Sequence, residues 1–181
     1  MTVKTILHMG DPRLYATAAP VEDFDSPLVK TIITDMTDTV IARKGAGIAA
    51  PQIAYAYRIL LIGVPTPRYP DVGTVPRTLL INPEITEKSE ETSGYWEACL
   101  SVPNLRGYVK RAVHIVYRGY DVSGKLIERQ ASGFHARVLQ HEMDHLDGVL
   151  FPSRVKDARL LALEDEAGFQ TLMHQVEEGV F

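Results

Sequence analysis

Residues 134–146 read Phe-His-Ala-Arg-Val-Leu-Gln-His-Glu-Met-Asp-His-Leu, which is the most informative stretch of the chain. Its apolar residues recur at helical spacing, and Gly148 follows close to the end that the pattern predicts for a helix. His141 and His145 are four residues apart, so both imidazoles project from one face of that helix. Two imidazoles placed in this way can hold one transition-metal ion. The sequence therefore predicts a helix that carries two metal ligands.

Glu142 completes a His-Glu-x-x-His pattern between the two histidines. Its side chain projects about 100° around the helix from that of His141. A carboxylate in that position can contact a water molecule at the metal without being a ligand itself, which is typical of metal-dependent hydrolases. The alternative interpretation is a polar helix face that binds nothing.

A catalytic site of this kind needs a third protein ligand, because three ligands leave one open position for water. One common continuation of the pattern would place a histidine where this chain has Phe151, which cannot bind an ion. Glu164 and Glu166 lie downstream, in an acidic stretch that also fits a solvated surface. Cys99 is the only cysteine in the chain, so it is either a buried small apolar residue or a chemically active thiol.

Two further segments have unusual composition. Residues 45–52 read Gly-Ala-Gly-Ile-Ala-Ala-Pro-Gln, a run of small residues whose backbone a ligand can approach closely. Gly45 also fits the C-terminal cap of a preceding helix. Residues 97–101 read Glu-Ala-Cys-Leu-Ser and contain the single cysteine.

These two segments and residues 140–145, in this order, resemble the signature motifs of the peptide deformylases. Those motifs are Gly-x-Gly-x-Ala-Ala-x-Gln, Glu-Gly-Cys-Leu-Ser and Gln-His-Glu-x-Asp-His. The resemblance also includes residues 11–14 and 105–106, and it spans most of the chain. Ala98 is a departure, because the family usually has glycine at that position.

The resemblance implies one divalent metal ion held by Cys99, His141 and His145, with Glu142 handling protons. It implies Fe²⁺ in the cell, and frequent Zn²⁺ or Ni²⁺ in purified samples. A thiolate ligand suits Fe²⁺ or Zn²⁺, while Co²⁺ or Ni²⁺ are workable substitutes. The donors to the oxyanion that forms during hydrolysis would be the side-chain amide of Gln52 and the backbone N–H of Leu100.

The implied reaction is hydrolysis of the N-formyl group from N-formyl-methionyl nascent peptides. Phe134 and Val138 lie on the same side of the predicted helix as His141 and would form an apolar wall for the methionine side chain. Packing in the core explains these two residues equally well. The remaining residues expected to bind the peptide are Ala46, Gly47, Glu97 and Ala98.

Two other functions are compatible with parts of the sequence. A zinc endopeptidase would share the His-Glu-x-x-His pattern but would need a downstream ligand. A catalytically silent homologue would bind peptide N-termini without turning them over. The second alternative is disfavoured because a binding module does not need Glu142.

The composition favours one globular domain over residues 1–181, with 45% hydrophobic and 23% charged residues. A net charge of −4 gives no electrostatic case for direct DNA binding or for an anionic membrane. No signal peptide or membrane span is expected, which indicates a cytoplasmic protein of the bacterial type.

The C-terminal residues 156–181 contain two basic and six acidic residues, so any association with the ribosome should be weak.

The local patterns predict a single α+β domain in which short mixed or antiparallel sheets pack around the central metal-binding helix, between N- and C-terminal helices. Ser26 and Pro27 mark the start of the N-terminal helix. The C-terminal helix is expected over residues 157–178, and an exposed loop over 66–76. Strands are expected over residues 58–64, 78–82, 109–117 and 126–130.

Overall fold

A computed structural model describes residues 2–66 and 75–180 of the chain. Within these ranges the helices are α1 (Pro27–Ala42), α2 (Gly133–Leu146) and α3 (Phe169–Glu177). The strands are β1 (Gly47–Ala49), β2 (Ile59–Ile62), β3 (Thr78–Lys88), β4 (Thr92–Cys99), β5 (Val102–Ala112), β6 (His114–Tyr120), β7 (Leu126–Ser132) and β8 (Leu161–Leu163). Short 3₁₀ turns cover Pro12–Tyr15, Ala50–Ile53, Phe151–Arg154 and Ala158–Leu160. None of the described helices is long and apolar enough to cross a membrane.

The strands form two antiparallel sheets. The larger sheet has the order β1-β2-β3-β6-β7, and the smaller has the order β4-β5-β8. Helix α2 contacts strands of both sheets, so the predicted metal-binding helix is central to the fold. The predicted α+β class is confirmed, with antiparallel pairing throughout both sheets.

Helix α2 is held by its apolar face. Ala136, Leu139 and Leu146 are fully buried, in a cluster that also contains Leu60 and Tyr117 of the larger sheet. Full burial of a leucine side chain contributes roughly 1.5–3 kcal/mol. This packing fixes the rotation of α2 and therefore the direction in which its polar residues point.

The start of α1 agrees with the prediction, because the Ser26 hydroxyl accepts a hydrogen bond from the Val29 N–H at 3.3 Å. The prediction for its end was wrong in one detail. The left-handed residue after the helix is Lys44, with φ 55°, and not Gly45. Gly45 is instead crowded, since an added Cβ would lie 3.0 Å from the Val40 side chain and 3.1 Å from that of Leu100.

Two strand predictions were wrong, one in its interior and one at its end. The run 109–117 is not one strand, because the chain bends at Val113 and passes from β5 in the smaller sheet to β6 in the larger. The strand predicted over 78–82 continues through Pro83 to Lys88, with an irregular register between Ile81 and Glu84 that accommodates the proline. The predicted loop 66–76 falls mostly outside the described residues.

The C-terminal helix predicted over residues 157–178 is present, but its predicted start was wrong. Leu161–Leu163 forms strand β8, which pairs with Leu105, Arg106 and Gly107 of β5, and the helix begins only at Phe169. The leucines that suggested a helical face belong instead to an edge strand of the smaller sheet. They pair there because the backbone groups on this side of β5 would otherwise lack partners. Strand β4 was not predicted, although it carries the cysteine segment.

Candidate metal centre and substrate pocket

Three buried or nearly buried side chains meet where α2 passes the end of β4. The candidate ligand atoms of Cys99, His141 and His145 all lie within 4.8 Å of one another. Cys99 Sγ is 3.1 Å from His145 Nε2. The structure therefore brings together the three residues that the sequence nominated as ligands, although the cysteine is more than forty residues from either histidine.

The Cys99 sulfur is placed by the hairpin between β4 and β5, in which Cys99 pairs with Val102. The backbone N–H of Ser101 points to Sγ at 3.4 Å, and the Gln52 side-chain amide points to it at 3.5 Å. Burial opposes ionisation of the thiol, but the charges and hydrogen bonds of His145 and His141 lower the pKa of Cys99 well below its ordinary value. The surroundings thus favour the thiolate, which is the form that binds metals.

The His141 ring is oriented by a carboxylate. His141 Nδ1 is 2.9 Å from Glu97 Oε2, so Nε2 remains on the side of the cysteine. Glu97 is itself 4% exposed and accepts hydrogen bonds from Arg111 and Arg137. A carboxylate that fixes the tautomer of a histidine in this way is common around metal sites. His145 Nδ1 is buried and has no hydrogen-bond partner within the described ranges.

The Glu142 carboxylate lies beside this cluster in a buried and crowded place. Its Oε2 atom is buried without a hydrogen-bond partner among residues 2–66 and 75–180. Burial raises the pKa of Glu142 to about 7, against the opposing charges of His141 and His145. Gly47 leaves room for this side chain, since an added Cβ would lie 2.7 Å from Glu142 Oε1. A carboxyl group with such a pKa can both accept and release a proton near neutral pH.

The Gln52 side chain is held in one orientation. Its Oε1 atom accepts a hydrogen bond from the Ala49 N–H at 2.9 Å, while Nε2 points to Cys99 and to the Ser101 hydroxyl, at 3.2 Å from the latter. Because the carbonyl end is engaged by the backbone, the amide N–H group faces the metal cluster. This orientation is the one that a donor to an oxyanion requires.

A pocket opens beside the cluster, and nearly all the residues predicted for the site line it. The predicted residues in its wall are Ala46, Gly47, Gln52, Glu97, Ala98, Cys99, Leu100, Phe134, Val138, His141 and Glu142. His145 belongs to the metal cluster but is not in the pocket wall. The structure therefore places Phe134 and Val138 at a surface that a ligand can reach, and not only in the core.

Tyr95 and Arg137 in the pocket wall were not predicted as site residues, nor was Arg111, which lies behind the wall. Arg137 lies one helical turn before His141, and this spacing was the only local signal that could have identified it. Tyr95 and Arg111 come from β4 and β5, whose pairing brings them to the site. No short sequence pattern connects them with the histidines.

The ligands that an endopeptidase would use are not at the cluster. Glu164 is half-exposed and pairs with Arg106, and Glu166 is exposed. Phe151, which stands where a third histidine would be needed, stacks against the His141 ring with centroids 6.2 Å apart. Among the described residues, the group that could hold a metal is the one that contains Cys99.

Comparisons with known proteins agree with this geometry. A family model described as Polypeptide deformylase matches residues 3–160. "Peptide deformylase 1" of Bordetella pertussis is 52% identical over 156 residues, covering 86% of this chain and 89% of that protein. "Peptide deformylase 1" of Nitrosomonas europaea is 46% identical over 164 residues, covering 90% and 93%.

The fold is also shared with solved structures. The Met-Ala-Ser-bound crystal structure of a class I type b peptide deformylase from Acinetobacter baumannii superimposes with a TM-score of 0.82 at 38% identity. The match covers 86% of this chain and all of that one. The chain belongs to the peptide deformylase family.

Proposed function

We propose that this peptide deformylase removes the N-formyl group of formyl-methionyl peptides at the centre formed by Cys99, His141 and His145. The observation that carries the proposal is that these three ligand atoms meet beside Glu142 in the wall of one pocket. Family membership supports the reaction, and the geometry supports the assignment of roles to residues.

The donor set fits a divalent transition metal. One thiolate and two imidazoles leave a coordination position open, and this mixture of soft and borderline ligands suits Fe²⁺ or Zn²⁺, with Ni²⁺ and Co²⁺ as substitutes. We propose Fe²⁺ as the ion used in the cell. Such an ion supplies Lewis acidity, which polarises a carbonyl oxygen and makes water a better nucleophile.

The residues around the ion would handle the proton and the developing charge. Glu142 would take a proton from the attacking water and deliver it to the amine nitrogen as the C–N bond breaks, giving formate and a free N-terminus. Gln52 Nε2 and the Leu100 N–H would donate hydrogen bonds to the formyl oxygen as it becomes negative. The fixed orientation of Gln52 supports this assignment.

The pocket would hold the methionine side chain of the substrate against Phe134 and Val138. Ala46, Gly47 and Ala98 line the same pocket, and their backbone groups would pair with an extended peptide. Glu97 was expected to bind substrate directly. Because its carboxylate is already engaged by two arginines and by His141, we assign it the role of supporting that histidine.

A cytoplasmic location is part of this proposal, since reducing conditions keep the Cys99 thiol available to a metal. We propose at most a weak association with the ribosome. The C-terminal residues 156–181 carry six acidic side chains against two basic ones, and RNA repels such a segment.

The test is formate release from formyl-Met-Ala-Ser, with acetyl-Met-Ala-Ser as the matched control substrate. We expect the wild-type protein to release formate. Glu142→Gln should release it more slowly by a factor of roughly 10²–10⁴, because the amide keeps the shape of Glu142 but not its basicity. The metal content of both proteins should be equal. Loss of the metal in Glu142→Gln would instead indicate that Glu142 is itself a metal ligand.

The same assay separates the alternatives. Cleavage of internal peptide bonds without formate release would identify an endopeptidase. Binding of formyl-Met-Ala-Ser without turnover, by protein that contains its metal, would identify a silent homologue.

A further inference from the structure

The Glu97 carboxylate is held by two arginines that come from different elements. Its Oε1 atom accepts from Arg111 Nε at 2.6 Å and from Arg137 Nη1 at 2.8 Å. Its Oε2 atom accepts from Arg111 Nη2 at 2.9 Å and contacts His141 Nδ1 at 2.9 Å. The position of the His141 ring therefore depends on how these arginines hold Glu97.

The two arginines are anchored differently. Arg111 has a second carboxylate partner, Asp144, at 2.8 Å. Arg137 instead donates to backbone carbonyl groups of both strands of the hairpin, to Val109 at 3.0 Å and to Ser93 at 2.7 Å. Arg137 is itself 6% exposed, so its buried guanidinium group finds its partners within the protein, at Glu97, Val109 and Ser93. Arg137 thus ties α2 to β4 and β5.

Arg137 also reaches the substrate pocket. Its Cζ atom lies 5.5 Å from the centroid of the Tyr95 ring, and Tyr95 in turn packs edge-on against Phe134 at 6.2 Å between centroids. All three side chains line the pocket. One guanidinium group therefore supports the aromatic wall on one side and the carboxylate partner of His141 on the other.

We propose that Arg137 is a positioning residue that fixes Glu97, and through it the ring of His141, from the wall of the substrate pocket. Arg137 and His141 are four residues apart on α2, so the helix supplies both a metal ligand and the group that orients the partner of that ligand. The substrate side of this inference rests on the proposed function, whereas its effect on the metal centre can be measured without substrate.

The test uses the full-length protein loaded with Co²⁺. The visible absorption spectrum of bound Co²⁺ reports how the metal ligands are arranged around the ion. The variants are Arg137→Met, which removes every donor, and Arg137→Lys, which keeps the charge but not the fork of donors. Arg118→Met is the control, because Arg118 pairs with Glu84 on the larger sheet, away from Glu97. Tyr95→Leu removes the aromatic contact and leaves the network of charges in place.

We expect Arg137→Met to change the Co²⁺ spectrum, to bind Co²⁺ roughly 10–100-fold more weakly in competition with a chelator, and to lower kcat. Arg137→Lys should lie between Arg137→Met and wild type, and Arg118→Met should match wild type. Tyr95→Leu should raise KM for formyl-Met-Ala-Ser and leave the spectrum unchanged.

A wild-type spectrum and Co²⁺ affinity in Arg137→Met would overturn the proposal, since Arg111 alone would then suffice to hold Glu97. If Arg137→Met lacks a cooperative unfolding transition, Arg137→Lys carries the test, and wild-type values in that variant overturn the proposal. Absence of formate release by the wild-type protein would contradict the proposed function, while the spectra would still decide the role of Arg137.

Discussion

Glu142 occupies space that exists only because residue 47 has no side chain. A Cβ at this position would lie 2.7 Å from Glu142 Oε1 and 3.1 Å from both Cδ and Cγ, so the carboxylate would have to move. We expect Gly47→Ala to lower turnover of formyl-Met-Ala-Ser by roughly 10²-fold, because a displacement of about 1 Å in a catalytic group has an effect of this size. The bound metal should remain at the wild-type level.

Gly168→Ala is the matched control for that variant. A Cβ on Gly168 has no heavy atom within 4 Å, and the φ of this residue is −75°. The control should retain wild-type turnover. Wild-type turnover in Gly47→Ala would mean that Glu142 does not need its present position for the reaction.

Ala98 is the departure from the family motif, and the structure indicates why it is tolerated. It lies in strand β4 and is not among the described residues with positive φ, so the backbone there does not require glycine. We expect the wild-type protein to be active and Ala98→Gly to change KM only a few-fold, a difference of about 1 kcal/mol or less, with kcat and metal content nearly unchanged. If the wild-type protein held metal without activity and Ala98→Gly restored it, the silent-homologue function would be favoured.

The candidate ligands could be nominated from the sequence, because His141 and His145 share a helical period and Cys99 lies in a recognisable motif, and the structure brings the three together. The sequence was insufficient for Arg111 and Arg137. Their partner Glu97 is 14 and 40 residues away from them in sequence, and the pairs form only after β4, β5 and α2 have packed together.

At the scale of elements, α3 covers the outer side of the strand that carries the cysteine. Trp96 of β4 packs against Phe169 with ring centroids 5.2 Å apart and nearly perpendicular planes. Trp96 is the only tryptophan in the chain, so its fluorescence reports this contact directly. We expect Phe169→Ala to shift the emission to longer wavelength and to lower the free energy of unfolding by about 3 kcal/mol, as is typical when a buried phenylalanine is truncated.

The exposed neighbour Gln170 provides the control for the Phe169 experiment. Gln170→Ala should leave both the emission and the unfolding free energy close to wild type. Equal spectra for the two variants would show that α3 does not shield Trp96.

The elements that could be foreseen were those with strong local signals. The capped start of α1 at Ser26 and the periodicity of α2 are examples. The end of the chain was misjudged because leucines at 160, 161 and 163 fit a helix as well as a strand, and the choice depends on an open edge of β5 that is remote in sequence. The bend at Val113 also depends on residues that are remote in sequence, because β5 and β6 on either side of it belong to different sheets.

At the scale of the whole molecule, the fold brings together three segments that are far apart in the chain. Gln52 follows β1 of the larger sheet, Cys99 ends β4 of the smaller sheet, and α2 lies between the sheets with the two histidines. The site therefore depends on the relative placement of both sheets around one helix. The single-domain arrangement over residues 1–181 remains a prediction, and the described residues are consistent with it.

If Cys99 completes the metal centre, the Cys99→Ala variant should lose its metal. His135→Ala is the control, because His135 lies on the same helix but contacts Tyr117 and not the cluster. We expect about one transition-metal ion per chain in the wild-type and His135→Ala proteins, and almost none in Cys99→Ala, since a charged ligand has been removed. Full metal content in Cys99→Ala would place the third ligand elsewhere and favour the endopeptidase function.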